Sequence, residues 1–206
     1  MSDDLENARE DLAFMRALAE TPAHPNRTMG FALMSAGLIY GFQTLVQWAA
    51  WAGLITLPGP LYLGFVIGCT VVFLAVLGVI IWRNRQKQTK SVAGRAYESA
   101  FEGAGIANAI IVIFFVLVSV RQNDPGLWYY YTPVIFALQG GAWYVGFRLR
   151  KRLWLGLVSA GWFVSAMVLG LTTHSGTYVL IIAISLFLLL ALPGWVMMRL
   201  AGKQDA

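Results

Sequence analysis

The sequence predicts an all-α polytopic membrane protein with six transmembrane helices, preceded by an amphipathic cytoplasmic helix at the N-terminus. Hydrophobic residues make up 58% of the 206 residues and charged residues only 12%, about half the charged share of an ordinary soluble domain. A chain of this length cannot bury so many apolar side chains in its own interior, so the excess must face lipid. The basic residues lie between the apolar segments, a pattern typical of membrane topology and not of a nucleic-acid-binding surface.

Six apolar segments reach the length of about 20 residues that a helix needs to cross a hydrocarbon core of about 30 Å. Helices are the expected form, because lipid offers no hydrogen-bond partner to an unpaired backbone amide. Pro133 and Pro193 lie inside the fourth and sixth segments and are expected to kink or loosen those helices. The predicted spans cover residues 29–52, 61–82, 100–120, 128–147, 153–171 and 178–198.

The charge of the connections alternates along the chain. Fourteen of the fifteen Lys and Arg residues fall on one side of the predicted bilayer, and Arg121 alone falls on the other. The positive-inside rule then places both termini in the cytoplasm. The predicted organisation is a cytoplasmic segment 1–28, a transmembrane domain 29–199, which short repeated motifs suggest is built of three helical hairpins, and a cytoplasmic tail 200–206.

Residues 3–20 have the pattern of an acidic amphipathic helix with one apolar stripe. Residues 1–20 carry six acids and two arginines, which disfavours adsorption to anionic lipid. We expect this helix to lie against the basic cytoplasmic loops as a lid or docking surface; the alternative is a solvated helix that packs on the bundle or pairs with another copy. The candidate cytoplasmic contact surface is Leu5, Leu12, Met15, Arg83, Arg85, Lys87, Arg148, Arg150, Lys151 and Arg152.

The polar side chains within the spans are amides and hydroxyls. No Asp, Glu, Lys, Arg or His lies near the middle of a predicted span, which disfavours a proton relay or an ion-coupled pump. An amide in lipid needs a partner, so interhelical hydrogen bonds are the first interpretation and the lining of a substrate path is the second. The candidate polar residues are Gln43, Gln47, Asn108, Gln139, Ser159 and Ser165.

Small residues recur at four-residue spacing in the first two spans, at Gly37/Gly41 and Gly64/Gly68. Such pairs let helix backbones approach closely, and we expect packing inside the bundle in preference to a dimer face. The single cysteine, Cys69, excludes an internal disulfide and is expected to act as a small packing residue.

The sequence contains none of the common catalytic motifs: no His-Glu-x-x-His, no Gly-x-Ser-x-Gly and no phosphate-binding glycine loop. His24 and His174 fall on opposite sides of the predicted membrane, so they cannot hold one haem between them. We therefore expect neither an enzyme nor a bound cofactor or metal.

The segment Asp11-Leu12-Ala13-Phe14-Met15-Arg16, followed by Glu20 and a glycine-bearing first span, resembles small uncharacterised bacterial inner-membrane proteins over roughly residues 10–45. The layout of three consecutive hairpins is similar to that of the acid-resistance membrane protein family, in topology and not in motif. These resemblances imply a bacterial cytoplasmic membrane, and no functional residue is carried over from them.

Two functions remain open at this point. The leading hypothesis is a non-enzymatic integral membrane protein that acts by protein association through its cytoplasmic face, with a cytoplasmic protein or another copy of the chain as the partner. The alternative is a small permease or channel that conducts a neutral or small solute along an amide-lined path. The charged cytoplasmic face favours the first, and the buried amides and the two intramembrane prolines allow the second.

Overall fold

The computed structural model describes residues 27–84, 92–173 and 175–202, and within these ranges the chain is helical, with short connections and no strand. A short 3₁₀ helix, Pro125–Tyr130, precedes the fourth of six main helices. The six are α1 (Arg27–Trp51), α2 (Gly59–Asn84), α3 (Val92–Gln122), α4 (Tyr131–Arg150), α5 (Leu153–Leu171) and α6 (Tyr178–Gly202).

Five of these helices, all except α4, are long and apolar enough to cross a membrane. This confirms an all-α architecture of the membrane-protein type. Helix α4 has 20 residues, but it includes Gln139 and ends with Arg148 and Arg150. It packs against both α3 and α5, and Phe136, Gly140, Ala142, Trp143 and Gly146 are buried there. A helix in that position does not need a fully apolar surface.

The helix boundaries agree with the predicted spans to different degrees. Helix α5 has the predicted bounds, whereas α3 begins at Val92, eight residues before the predicted start at residue 100. Helix α4 begins at Tyr131 because the preceding six residues form the 3₁₀ helix. Pro133 therefore falls in the first turn of α4, where a backbone N–H has no acceptor within the helix, and it need not kink the helix as expected.

Helices α1 and α6 pack against each other in antiparallel orientation through small residues. A Cβ atom added to Gly30 would lie 2.8 Å from the carbonyl oxygen of Gly194, and one added to Gly37 would collide with the backbone of Ala191. A Cβ at Gly41 would lie 3.0 Å from the Phe187 ring. The internal packing predicted for the Gly37/Gly41 pair is confirmed, because only glycine allows this approach of the two backbones.

The same prediction is wrong for Gly64 and Gly68. No described atom lies within 4 Å of a Cβ added at either position. Helix α2 packs mainly on α1, and no residue of its most apolar stretch is buried. These glycines therefore lie outside the packed interior, on a helix that is largely exposed.

The packed core lies between α1, α4, α5 and α6 and also contains Tyr97 of α3, while α2 and the rest of α3 lie at the outside. Helices α4 and α5 pack closely because Gly140 contacts the Phe163 ring and Gly156 contacts the Phe147 ring. The predicted hairpin pairs α1–α2, α3–α4 and α5–α6 are all in contact, but the most extensive contacts join α4 to α5 and α1 to α6. The largest fully buried side chains are Trp143, Trp162, Tyr97, Leu155, Leu169 and Met197.

Candidate functional site: a basic end and a polar interior

The antiparallel packing gathers the basic residues at one end of the bundle, here called the basic end. Tyr97 near the start of α3 contacts Gly146 near the end of α4 and Met197 near the end of α6. The start of α1 lies beside the end of α6, through Gly30 and Gly194. Eight of the nine Lys and Arg residues that the structure describes belong to this end: Arg27, Arg83, Arg95, Arg148, Arg150, Lys151, Arg152 and Arg199.

Two cations of the basic end are engaged with aromatic rings of the protein itself. The guanidinium carbon of Arg150 lies 4.2 Å from the centre of the Tyr97 ring, and that of Arg199 lies 4.5 Å from the Trp195 ring. Cation–π contacts of this kind stabilise a partly desolvated cation. Arg150 therefore has a structural role, although the sequence grouped it with the contact surface.

Tyr97 holds the basic end together, and sequence reasoning missed it. Its side chain is fully buried, its ring packs directly on Gly146, and it meets the Phe101 ring edge to face at 5.0 Å. Its hydroxyl lies 4.0 Å from the sulfur of Met197. The only available signal was a tyrosine next to a carboxylate at a helix start, which is as typical of an exposed interface anchor as of a buried residue.

Three other cations are exposed where α4 leads into α5, a segment here called the α4–α5 turn: Arg148 in the last turn of α4, and Lys151 and Arg152 in the connection. Within the described part of the chain no acid forms an ion pair with them. The turn is short and well defined, since Lys151 adopts a left-handed conformation (φ 50°) and its N–H donates to the carbonyl of Phe147 at 2.8 Å. A left-handed residue directly after a helix is a common way to end it. The three cations are therefore presented from a fixed backbone.

The polar residues within the bundle form contacts between helices. The Tyr131 hydroxyl donates to Oδ1 of Asn108 at 2.8 Å, which joins α4 to α3. Asn108 thus has the interhelical partner that an amide in lipid requires.

The two candidate serines also bond across helix pairs. The Ser159 hydroxyl donates to the carbonyl oxygen of Gly140 at 2.8 Å and joins α5 to α4. The Ser185 hydroxyl donates to that of Ser165 at 3.1 Å and joins α6 to α5. Ser159 and Ser185 are buried. This geometry is what the packing interpretation of the candidate polar residues predicts.

The glutamines differ from the other candidates. The side-chain oxygens of Gln43 and Gln139 are buried, and no residue in the described ranges donates a hydrogen bond to them. Gln47 is half-buried one turn further along α1. A buried amide oxygen normally has a hydrogen-bond partner. The two unpartnered oxygens therefore favour the interpretation that these glutamines line a substrate path.

A proline-related hydrogen bond connects α5 to α6. Helix α6 contains a π turn at Phe187–Ala191, followed by Pro193. Proline has no N–H, so Pro193 cannot donate to the carbonyl of Leu189 four residues earlier. Nε1 of Trp162 donates to that carbonyl instead, at 3.1 Å. The expected loosening of the sixth helix at its proline is thus present as a π turn whose freed carbonyl has a partner on a neighbouring helix.

The remaining candidates of the cytoplasmic surface, Leu5, Leu12, Met15, Arg85 and Lys87, lie outside the described residues. In the described ranges, no group of three or more His, Cys, Asp or Glu residues is placed to hold a metal ion. Comparison of the chain with protein-family models, with curated proteins and with solved structures finds no match.

Proposed function

We propose that the chain is a six-span protein of a bacterial cytoplasmic membrane, with both termini in the cytoplasm, and that it acts by protein association through its basic end. We count helix α4 as a span in addition to the other five, because it runs antiparallel to both neighbours and has 20 residues, about 30 Å of helix. The concentration of cations at one end supports the orientation through the positive-inside rule.

The observation that carries this proposal is the set of exposed cations at the basic end, three of them on the fixed α4–α5 turn. The N-terminal 20 residues carry six acids and two arginines, so the chain itself contains a segment of opposite charge. A contact between the two needs both charge attraction and the apolar stripe of the segment, because exposed ion pairs alone contribute little.

The test is site-specific photo-crosslinking in cells of the native host. A photoreactive amino acid is introduced at Leu12, on the apolar stripe that the sequence predicts, or at Glu10, the matched control, which would lie about 160° away on the predicted helix. We expect Leu12 to give a discrete crosslinked product and Glu10 to give little. The mass of the product separates three cases: the chain linked to itself, a dimer of the chain, or a complex with another protein.

A second experiment repeats the crosslinking after the charges of the α4–α5 turn have been reversed. Replacing Arg148, Lys151 and Arg152 by Glu is expected to reduce the Leu12 crosslink severalfold, whereas Arg121→Glu at the opposite end leaves it unchanged. Equal crosslinking from Leu12 and Glu10, or a Leu12 product that persists after charge reversal, would show that the N-terminal segment does not use the basic end.

A small permease or channel is the second candidate, and the buried, unpartnered side-chain oxygens of Gln43 and Gln139 favour it. Amide groups that line a path would bind a neutral solute that donates hydrogen bonds. The test is a thermal-stability screen of the purified protein against small neutral solutes, with Gln43→Leu and Gln139→Leu as variants. Stabilisation by a solute that both variants abolish supports this function, while stabilisation that persists in both contradicts it.

A further inference from the structure

The exposed cations of the α4–α5 turn differ from the other cations of the basic end in how closely they are grouped. Arg148, Lys151 and Arg152 fall within five residues of chain, on a backbone fixed by the left-handed Lys151. By contrast, Arg150 and Arg199 are covered by aromatic rings of the protein. The turn thus presents three positive charges together.

Apolar side chains extend from this turn along the outside of both helices. Leu149 on α4 is 38% exposed, and Leu153 and Leu157 on α5 are 79% and 74% exposed. Leu153 and Leu157 are four residues apart and share one helix face. Tyr144 and Val145 continue the exposed surface on α4, at 49% and 39%. The surface therefore has a cationic top and an apolar side that runs towards the middle of the bundle.

We infer that this surface binds an anionic phospholipid, whose phosphate contacts the three cations of the turn and whose acyl chains lie along the exposed leucines. The charge complementarity selects an anionic headgroup, and the exposed apolar side chains next to the cations select a lipid over a water-soluble anion. Basic clusters at the inner ends of transmembrane helices are a known chemistry for such headgroups.

The inference rests on the proposed membrane insertion and not on the proposed protein association. A bilayer has headgroups on both sides, so the site also does not depend on which end faces the cytoplasm. The lipid measurement uses the purified full-length chain without any other protein and detects bound lipid, whereas the crosslink reports what lies next to Leu12. Failure of the Leu12 crosslink and failure of lipid binding are therefore separate results.

The test is native mass spectrometry of the full-length protein in a mild detergent, titrated with dioleoyl-phosphatidylglycerol or with dioleoyl-phosphatidylcholine. The two lipids have the same acyl chains and differ in headgroup charge. For the first lipid bound, we expect the Kd for phosphatidylglycerol to be about tenfold lower than that for phosphatidylcholine. Replacing Arg148, Lys151 and Arg152 by Gln is expected to abolish this difference.

A matched control removes the same charge from the same end. Arg27, Arg83 and Arg95 are exposed and lie on three different helices, so their triple replacement by Gln is expected to keep the phosphatidylglycerol preference. A charge-conserving variant, Arg148→Lys with Arg152→Lys, should keep it as well. Unchanged elution and helical circular dichroism show that each variant is folded.

Three results would overturn the inference. One is equal affinity of the wild-type chain for the two lipids. Another is a loss of preference in the dispersed-cation control as large as in the turn variant, since general surface charge would then explain it. The last is displacement of bound lipid by the water-soluble headgroup glycerophosphoglycerol at equal concentration, which would show that a free phosphodiester suffices.

Discussion

We attribute the hydrogen bond from Trp162 to the carbonyl of Leu189 to Pro193, because proline has no N–H to donate to that carbonyl. Trp162→Phe removes the donor and keeps an aromatic ring against Phe136, which now meets the Trp162 ring edge to face at 4.7 Å. Leaving a buried acceptor without a partner costs about 1–3 kcal/mol, and hydrogen bonds between membrane helices average about 0.6 with a maximum near 1.7 kcal/mol. We expect a loss of about 1–2 kcal/mol from this bond, plus a cavity cost from the smaller ring.

A double-mutant cycle with Pro193→Ala separates the two costs. Alanine at position 193 restores an N–H that can donate to Leu189, so Trp162→Phe should then leave no unpartnered carbonyl. The cavity cost is the same in both backgrounds and cancels. The expected coupling free energy is about 1 kcal/mol, with Trp162→Phe less destabilising in the Pro193→Ala background.

The measurement is the free energy of unfolding by steric trapping in bicelles, which does not depend on tryptophan fluorescence. Trp154→Phe is the matched control, because Trp154 is half-buried against Trp143 and has no carbonyl freed by a proline as its acceptor. A cost of Trp162→Phe that agrees within about 0.3 kcal/mol in the two backgrounds would refute the link between the proline and the indole.

Two further predictions concern helix packing. Gly37→Ala should destabilise the protein by about 1–3 kcal/mol, because the new methyl group collides with the backbone of Ala191. The control Gly64→Ala places its methyl group in open space and should be within about 0.5 kcal/mol of wild type. Equal effects of the two variants in the same steric-trap assay would contradict the α1–α6 contact. Ser159→Ala should cost about 0.6–1.7 kcal/mol by removing the bond to Gly140, and no loss of unfolding free energy would show that this bond contributes nothing net.

The spans of the lipid-facing helices were predictable because lipid selects composition directly. Helix α2 extends only two residues beyond each end of its predicted span, 61–82. The start of α4 was not predictable in the same way, since it depends on a local cap. Asp124 accepts a hydrogen bond from the N–H of Gly126 at 2.8 Å and initiates the 3₁₀ helix. A hydropathy profile does not detect that hydrogen bond.

The interhelical role of the polar residues was predictable, but their partners were not. An amide or hydroxyl within a span is expected to have an acceptor or donor; Asn108, Ser159 and Ser165 each have one, whereas the side-chain oxygens of Gln43 and Gln139 have none among the described residues. The choice of Tyr131 for Asn108 depends on the depth and rotation of two helices relative to each other. The relative depth and rotation of the helices follow from packing, such as the glycine contacts between α1 and α6. They cannot be predicted from a single sequence.

The basic turn shows how structure separates residues that a sequence groups together. Arg148 and Arg150 are two positions apart, which on a helix means about 200° of rotation and opposite faces. A fourth span that ends at residue 147 places both arginines in one solvated loop. Because α4 continues to Arg150, one arginine points outward and the other covers Tyr97. A variant that removed both would mix the loss of an exposed charge with the loss of a structural contact, so binding at this turn has to be tested with Arg150 left intact.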